Sequence, residues 1–473
     1  MWSARLFRHA ALSVPIDLPR GFPVDVVGLD AFAPLGARVR PAAQDLVPTY
    51  PAGLPLHIAA ANLFLSEESA VKTVMIVTVA VTLFLLYGLA RDAGLERWWA
   101  LGGCAFLACS PLFLFMAVQP MSDVPATMWA EATMLCAWRT RQRRLFATLT
   151  GVCLGVATLV RPTNLLLALP VVAAMPLTLP TVAGLIAGGI PFVAFLTAYQ
   201  SFAYGSPFSS GYGDLSSTFS SVNFGASIRH YVSWLPHLAS WLIVLAPAAA
   251  WGWRGALARW RLIAATWMAV LFGVYALYSV TSETWWSLRF LLPAFPPLII
   301  ASLVGLRQIV LSADRVVAIG ACPEPRRRTC PEQGRTAARA VVSAGVVVVC
   351  LVALVRGPQF NAYSDVSDSE RVYRDALEVM ALERPSYTTA LMLQMSGAAN
   401  YYAPHVRAIR YDWLTPDGWG AIRTWQSREH VAIGAALFGA ETDEFFRRDR
   451  TPLTCNWQSR GHYRHVTFWE CPP

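Results

Sequence analysis

The stretch Gln119-Pro120-Met121-Ser122-Asp123-Val124-Pro125 lies between two apolar segments, each of which predicts a membrane helix. A carboxylate such as Asp123 is costly to desolvate at that boundary, so it usually marks a function. The competing interpretation is a helix cap, because Ser122 and Asp123 are both favourable N-cap residues. The positions of the other charged residues distinguish a functional carboxylate from a helix cap.

The composition of the chain predicts an integral membrane protein. Of 473 residues, 55% are hydrophobic and only 14% are charged, and the mean hydropathy is +0.43. A soluble chain of this length needs more charge to cover its surface. The net charge of +9 comes from arginines that are spread through loops rather than gathered on one basic face, so nucleic acid is not expected as a partner.

Apolar stretches of spanning length predict an all-α polytopic fold with about ten transmembrane helices. They are residues 69–90, 98–118, 124–138, 145–160, 163–179, 181–200, 234–252, 262–280, 288–306 and 340–356. Several are short, and region 145–179 also fits one span followed by a re-entrant piece.

Four arginine-rich loops give the predicted orientation. They are Arg91–Arg97, Arg139–Arg144, Arg254–Arg261 and Arg307–Arg339, and alternation of ten spans puts all of them on one side. By the positive-inside rule that side is the cytoplasm of a bacterial inner membrane. Asp123 and the tail from residue 357 are then expected on the extracytoplasmic side, which is the predicted active face.

Changes of composition divide the chain into three predicted regions. Residues 1–68 are expected to be an N-terminal segment and first outer loop, residues 69–356 the membrane domain, and residues 357–473 a small extracytoplasmic α/β domain. In the last region the candidate strands are Ala390–Leu393, Arg407–Tyr411 and Val431–Ala436, and the candidate helices lie near 369–382, 417–427 and 440–449.

The cysteines predict one disulfide and no metal site. Cys455 and Cys471 could pair in an oxidising compartment. Cys322 and Cys330 flank a basic loop, but they lack the short paired spacing and the histidines of a zinc site. No phosphate loop or dinucleotide fingerprint is present, so the sequence names no nucleotide cofactor. A divalent cation is left open.

Arg289 and Glu283 lie beside Trp285 and Trp286 at the predicted outer end of a span. The tryptophans fit an aromatic interface belt, whereas Arg289 is a candidate to hold a lipid phosphate. Glu283 is a candidate substrate contact, with an ion pair to Arg289 as the alternative.

Arg161 interrupts two apolar stretches in the segment Arg161-Pro162-Thr163-Asn164. A charged side chain at membrane depth needs a polar cavity or a partner, and Asp123 is a candidate partner on the same side. The alternative is that Arg161 extends to the outer headgroups.

The remaining candidate substrate-binding residues lie in outer segments: Tyr50, Tyr212, Asp214 and His237. Tyr50 precedes a short apolar stretch, 54–65, which predicts an interfacial helix. Tyr212 and Asp214 lie in a glycine-containing loop that suits closure on a ligand, although most such loops are connectors. His237 is a candidate proton carrier or phosphate contact, although a histidine at such a position is more often a satisfied interfacial residue.

Four motifs in order along the chain resemble the GT-C superfamily of polytopic glycosyltransferases, in the branch of the protein mannosyltransferases and aminoarabinose transferases. They are Tyr50–Leu56, Met121–Pro125, Gly155–Ala157 with Val160–Pro162, and Leu288–Pro296. Each motif is weak alone, but the ordered set is fairly specific and covers residues 1–306.

The resemblance implies a sugar donor carried on a polyprenyl phosphate, with a lipid, a glycan or a protein as acceptor. An acid of the first outer loop would act as general base. The acid of the second outer loop, here Asp123, would assist or orient. A basic residue would stabilise the departing lipid phosphate, and Arg289 is the candidate.

The resemblance also implies a segment before Met1. Family members begin with a membrane helix and an acidic motif, and only then comes a segment like Ala4–His9. The first catalytic carboxylate is therefore expected upstream, and a chain that truly lacked it would be inactive. Asp25, Asp30 and Asp45 lie further along than the family position, so none of them is given the role of base.

The predicted function is therefore a membrane glycosyltransferase. A transporter or flippase of lipid-linked glycans is the alternative from another class, and it predicts mid-span charges and internal repeats. A polymerase or ligase of such glycans is the second alternative, and it would lack an acidic turn as early as Asp123.

Overall fold

The computed structural model describes residues 2–40, 43–213, 218–321, 332–382, 387–449 and 455–473. The α-helices are α1 Trp2–Arg8, α2 Val24–Val27, α3 Gly53–Ala61, α4 Glu67–Asp92, α5 Arg97–Ala108, α6 Pro111–Ala117, α7 Asp123–Arg139, α8 Leu145–Val160, α9 Ala168–Ala174, α10 Leu179–Tyr204, α11 Phe224–Leu238, α12 Ala249–Gly252, α13 Arg259–Ala276, α14 Phe295–Ala321, α15 Glu332–Arg356, α16 Ala362–Leu382, α17 Ser396–Tyr402, α18 Pro416–Glu429 and α19 Gly439–Arg448. The strands are β1 Val14–Pro15, β2 Ala37–Arg40, β3 Asp45–Pro48, β4 Thr389–Met392, β5 Arg407–Arg410, β6 Ile433–Phe438, β7 Gln458–Tyr463 and β8 Val466–Cys471.

The chain forms two compact units. The sheet unit comprises residues 1–65, 196–214 and 365–473, and the membrane unit comprises residues 66–195 and 215–364. Within the sheet unit, the N-terminal residues pack on the C-terminal ones: the indole of Trp425 donates a hydrogen bond to the carbonyl of Arg20, and the Phe22 ring meets the Trp425 ring edge-on at 5.0 Å.

The sheet unit contains two sheets. The first has the order β1-β3-β2 and is antiparallel. The second has the order β5-β4-β6-β8-β7, with β4 parallel to both β5 and β6 and a closing antiparallel hairpin β7–β8. The predicted C-terminal sheet domain is thus present, and its three predicted strands correspond to β4, β5 and β6. The hairpin was missed because polar residues such as those of Gln458–Tyr463 give no apolar strand pattern.

The described residues contain four helices long and apolar enough to cross a membrane: Glu67–Asp92, Leu179–Tyr204, Gly255–Ala276 and Trp285–Ser312. Three bent helix pairs raise the number to seven if each pair counts as one span. The multi-pass membrane fold is therefore confirmed, whereas the count of ten is not. One reason is that apolar stretches such as 98–118 fold as bent pairs: α5 and α6 meet at 64°.

The helices of the membrane unit begin, end and pack for recognisable reasons. Ser66 caps α4 by accepting a hydrogen bond from the backbone N–H of Ser69, and the acids Glu67 and Glu68 lie in the positively polarised first turn. Asp92 and Arg139 form an ion pair at 2.9 Å, which joins the C-terminal ends of α4 and α7.

Small residues let α8 approach α10 closely. A Cβ added at Gly151 would lie 2.0 Å from the carbonyl oxygen of Leu185, and one added at Gly188 would lie 2.1 Å from that of Thr148. Backbone contact of this kind is how helices associate where lipid removes the hydrophobic driving force. The packing fixes α8, whose C-terminal end carries the segment Arg161–Asn164.

Candidate active site

Asp123 and Arg161 form a buried ion pair in the membrane unit. The Arg161 Nη2 lies 2.5 Å from the Asp123 Oδ1, and the two side chains are only 10% and 3% exposed. The helix-cap interpretation of the turn is not what the structure shows, since Ser122 is the N-cap of α7 and makes no side-chain cap hydrogen bond. The carboxylate of Asp123, in the first turn, instead faces the guanidinium.

Arg161 lies in this position because α8 ends there. Pro162 has no N–H to continue the helix and disfavours helical geometry in the residue before it. Arg161 accordingly has extended backbone angles, φ −149° and ψ 111°, while its N–H still donates to the Ala157 carbonyl. The chain leaves the helix at this point, and the guanidinium finds the partner that the sequence suggested rather than the headgroups.

Thr163 and Asn164, which follow Arg161 and Pro162, connect the site to neighbouring helices. The Thr163 hydroxyl is 2.6 Å from the hydroxyl of Tyr275 on α13. The fully buried Asn164 amide donates to the carbonyls of Ala126 and Ala157. The segment after α8 is therefore tied to α7, α8 and α13 at once.

Two guanidinium groups lie near the ring of Phe290. The Cζ of Arg161 is 5.5 Å from the ring centroid and the Cζ of Arg289 is 5.1 Å from it. Tyr275 stacks on the same ring at 5.3 Å with an interplanar angle of 18°. Cations are attracted to aromatic faces, so this ring helps to hold both arginines in one region.

Arg289 carries a charge that no carboxylate balances among the described residues. Its guanidinium lies 3.1 Å from the Met121 Sδ and 5.1 Å from the ring centroids of Trp286 and Phe290. Arg161 is neutralised by Asp123, so the cluster of Asp123, Arg161 and Arg289 has a net positive charge. A partly buried, uncompensated guanidinium is suited to bind an anion such as a phosphate.

The other predicted residues of the membrane unit lie outside this cluster. Glu283 is exposed, and the ion pairs found in the described parts of the chain do not include one with Arg289. His237 is exposed and meets the ring of Trp241 edge-on at 5.3 Å. It is a neighbouring histidine, His230, that hydrogen bonds to the Thr284 carbonyl.

Tyr50 and Tyr212 are brought together in the sheet unit. Their rings meet at 6.2 Å, and both side chains are exposed, by 53% and 56%. The Arg38 guanidinium holds the loop that carries Tyr212 by donating hydrogen bonds to the carbonyls of Ser210 and Gly211. Gly211 is required there, since an added Cβ would lie 2.0 Å from the Thr49 carbonyl oxygen. Asp214 lies outside the described residues, as do Cys322 and Cys330.

Three residues of the region were not singled out from the sequence. Tyr275 gave no signal, because it is one aromatic residue in an apolar helix and lies far from Thr163 along the chain. Phe290 was part of a motif but had no assigned role. Glu131 did give a signal, an acid inside an apolar helix. It is fully buried, and neither carboxyl oxygen has a hydrogen-bond partner among the described residues.

The described residues contain no group of three or more His, Cys, Asp or Glu side chains that could hold a metal ion. The predicted disulfide between Cys455 and Cys471 is present in the sheet unit.

Comparison with known proteins agrees with this fold. A family model described as dolichyl-phosphate-mannose-protein mannosyltransferase matches residues 29–195. ArnT from Cupriavidus metallidurans bound to undecaprenyl phosphate superposes with a TM-score of 0.55 at 12% identity, over 89% of this chain and 88% of that one. The apo state of the same protein gives 0.52 at 13% identity, over 89% and 87%. No curated protein sequence matches the chain.

The chain is thus similar to membrane glycosyltransferases in its fold and, over residues 29–195, in its sequence. At 12% identity the likeness to ArnT shows the fold alone, while the family model covers the stretch that holds Asp123 and Arg161. Together they confirm the resemblance to the GT-C superfamily, in the branch of the protein mannosyltransferases and aminoarabinose transferases, that was drawn from the four motifs.

Proposed function

We propose that the protein transfers a sugar from a polyprenyl phosphate to an acceptor on the extracytoplasmic face of a bacterial inner membrane. The observation that carries the proposal is the net positive cluster at Phe290, in which Arg289 has no carboxylate partner among the described residues. A lipid phosphate has the charge and the membrane location to match it. The acceptor, whether lipid, glycan or protein, supplies a hydroxyl or amine as nucleophile.

In the proposed reaction the acceptor attacks the anomeric carbon, the bond from that carbon to the phosphate oxygen breaks, and the acceptor's proton leaves to a base. The bonding electrons remain on the lipid phosphate. Negative charge develops on that phosphate, and a fixed cation near it lowers the barrier because it needs no reorganisation during the step. Arg289 is assigned this role. Glu283 and His237, both exposed in the membrane unit, are retained as candidate substrate contacts.

Asp123 is proposed to act through Arg161. Their ion pair leaves the carboxylate engaged, so its role is to orient the guanidinium rather than to collect a proton directly. Arg161 would then be held in the same region as Arg289, at the ring of Phe290. This is the assisting role that the family resemblance gives to an acid at this turn.

Tyr50 and Tyr212 are proposed as contacts for the acceptor. Exposed aromatic rings held by a rigid backbone can stack on a sugar ring, since they offer apolar area at low entropic cost. Asp214 is retained as a neighbouring candidate. The three-region division of the chain, with residues 357–473 extracytoplasmic, is part of the same proposal.

The test is a transfer assay with purified protein in lipid nanodiscs, a radiolabelled polyprenyl-phosphate sugar and a membrane extract as acceptor source. Wild-type protein should transfer label, and Arg289→Gln should lower kcat by about 100-fold, the usual loss for one group that stabilises transition-state charge. The matched control is Arg307→Gln, an arginine of α14 that pairs with Glu96. Equal activity of Arg289→Gln and the control would contradict the proposal.

A further inference from the structure

Asn164 joins the two helices that carry the buried ion pair. Its Nδ2 lies 3.1 Å from the Ala126 carbonyl oxygen and 3.4 Å from the Ala157 carbonyl oxygen. Ala126 lies one turn after Asp123 on α7, and Ala157 lies one turn before Arg161 on α8. One amide group therefore fastens both backbones within a turn of the charged residues.

The same residue also fixes the bend that follows α8. The backbone N–H of Asn164 donates to the Arg161 carbonyl at 2.9 Å, and the N–H of Arg161 donates to the Ala157 carbonyl at 2.9 Å. The backbone of Arg161 is thus held at both its carbonyl and its N–H. The first bond comes from Asn164 itself, and the second goes to the Ala157 carbonyl, which Asn164 also contacts. The direction of its guanidinium depends on this conformation.

Only an amide satisfies this position. Both neighbours are carbonyl acceptors, so the side chain must offer two N–H donors from one atom, which asparagine does. The Oδ1 atom of the same amide has no hydrogen-bond partner among the described residues, so the two carbonyls are the side chain's hydrogen-bond partners there. Serine would supply a single donor, aspartate would place a carboxylate against two carbonyls, and leucine would supply no donor at all.

We infer that Asn164 is a positioning residue that sets the geometry of the Asp123–Arg161 pair. The inference rests on the proposed function for its activity readout, and it predicts that the loss of the amide misaligns the guanidinium without removing any group that touches the donor. The effect should therefore fall on kcat and spare the KM for the lipid donor.

The experiment compares Asn164→Leu, which keeps the approximate volume, with Asn62→Leu as a matched control. Asn62 is likewise buried, at 2% exposure, but it lies in the sheet unit. Asn164→Leu should lower kcat about tenfold with the donor KM within about twofold, whereas the control should match wild type. Asn164→Ser, which keeps one donor, should be intermediate, and it serves as the test variant if the leucine does not fold.

A second readout does not depend on activity. Melting temperatures are measured for Asn164→Leu, Asp123→Asn and the double variant. If Asn164 acts on the pair, the double variant should lose less than the sum of the single losses, because both changes act through Arg161. Asn62→Leu combined with Asp123→Asn should be additive.

The two proposals fail in different ways. Wild-type protein without any transfer would contradict the proposed function, and the melting cycle would still decide the inference. Additive melting shifts for Asn164→Leu and Asp123→Asn would overturn the positioning role, as would an unchanged kcat in an active enzyme.

Discussion

Among the described residues two aspartate–arginine pairs are buried, one in each unit, and their surroundings differ. In the membrane unit Arg161 meets Asp123, and a second guanidinium, that of Arg289, lies at the same aromatic ring. In the sheet unit Arg423 meets Asp449 at 2.8 Å, with side chains only 5% and 4% exposed. Burial and chemistry are nearly the same, so neither property distinguishes a functional pair from a structural one.

The neighbours of the second pair, Arg423 and Asp449, are neutral groups that hydrogen bond to it. Trp457 donates its indole N–H to Asp449, and Arg423 also donates to Gln426 and to the sulfur of Cys471, a residue of the disulfide. The pair thus joins α18, the end of α19 and β8 around one covalent link. A buried ion pair is weak evidence for any role by itself. The uncompensated cation beside the first pair is what distinguishes it.

The largest expected effect is that of Asp123→Asn on sugar transfer. The asparagine cannot hold the Arg161 guanidinium by charge, so kcat should fall about 100-fold or more. The matched variant Asp449→Asn should keep its transfer rate per folded molecule within about twofold of wild type. The transfer rates are measured on protein whose folded state has been checked by size-exclusion chromatography and thermal melting. Full activity of Asp123→Asn would contradict the role assigned to Asp123.

The second-largest expected effect is a loss of folding stability in the sheet unit. Asp449→Asn leaves the Arg423 charge buried without its partner, which typically costs about 3–5 kcal/mol. The measurement is denaturant unfolding followed by tryptophan fluorescence, because the indole of Trp457 contacts Asp449. The midpoint of the transition in which the sheet unit unfolds should lie at lower denaturant concentration in the variant than in wild type. A midpoint equal to that of wild type would show that the Arg423–Asp449 pair does not stabilise the sheet unit.

A smaller loss is expected from the disulfide beside that pair. Cys455 and Cys471 are separated by 16 residues, and closing a loop of that length stabilises the folded state by about 3 kcal/mol in the chain-entropy treatment. The double variant Cys455→Ser/Cys471→Ser should melt at a lower temperature than wild type, and reducing agent should have no further effect on it. If wild type is insensitive to reductant under unfolding conditions, the prediction is wrong.

The smallest effect concerns a third pair, Arg40 and Asp45, which is partly exposed at 21% and 11%. Hydrogen bonds from the Arg40 guanidinium hold the pKa of the Asp45 carboxyl below its usual value. A depressed folded-state pKa stabilises the protein above the unfolded value of about 3.9, and that contribution disappears as the pH falls through the folded pKa. The total should be below about 1 kcal/mol because solvent screens the pair.

Asp45→Asn provides the check on this last pair. Wild type should lose its small advantage over the variant when melting temperatures are followed from neutral pH to below pH 4. A difference that stays constant, or that grows in acid, would contradict the sign of the effect.

Much of the fold was readable from the sequence because lipid imposes a strong constraint on it. Long apolar stretches such as Glu67–Asp92 predict membrane helices, and the alternation near β4, β5 and β6 predicts a small sheet domain. The number of spans was not readable, since short apolar stretches do not reveal whether they cross the membrane, bend or pack as partial helices. The hairpin β7–β8 was hidden because its stability comes from pairing with β6 rather than from local pattern.

The site was readable only in part. Asp123, Arg161 and Arg289 stood out because charges near membrane segments are expensive. Tyr275 did not stand out, since a tyrosine in an apolar helix is common and its partner Thr163 is remote in sequence. The contact of Tyr50 with Tyr212 likewise required a loop and a distant segment to be folded onto one another.

The sequence by itself determined that this chain is rich in membrane-length apolar stretches and resembles the GT-C superfamily, because hydrophobicity and the order of short motifs are properties of the chain alone. Tertiary structure decided which charges meet. Only there is the charge of Arg161 balanced by Asp123, while no carboxylate among the described residues balances that of Arg289. Only there do residues 1–65 join residues 365–473 in one unit. The physical reason is that the electrostatic role of a charged group depends on its neighbours in space, and the local sequence does not specify them.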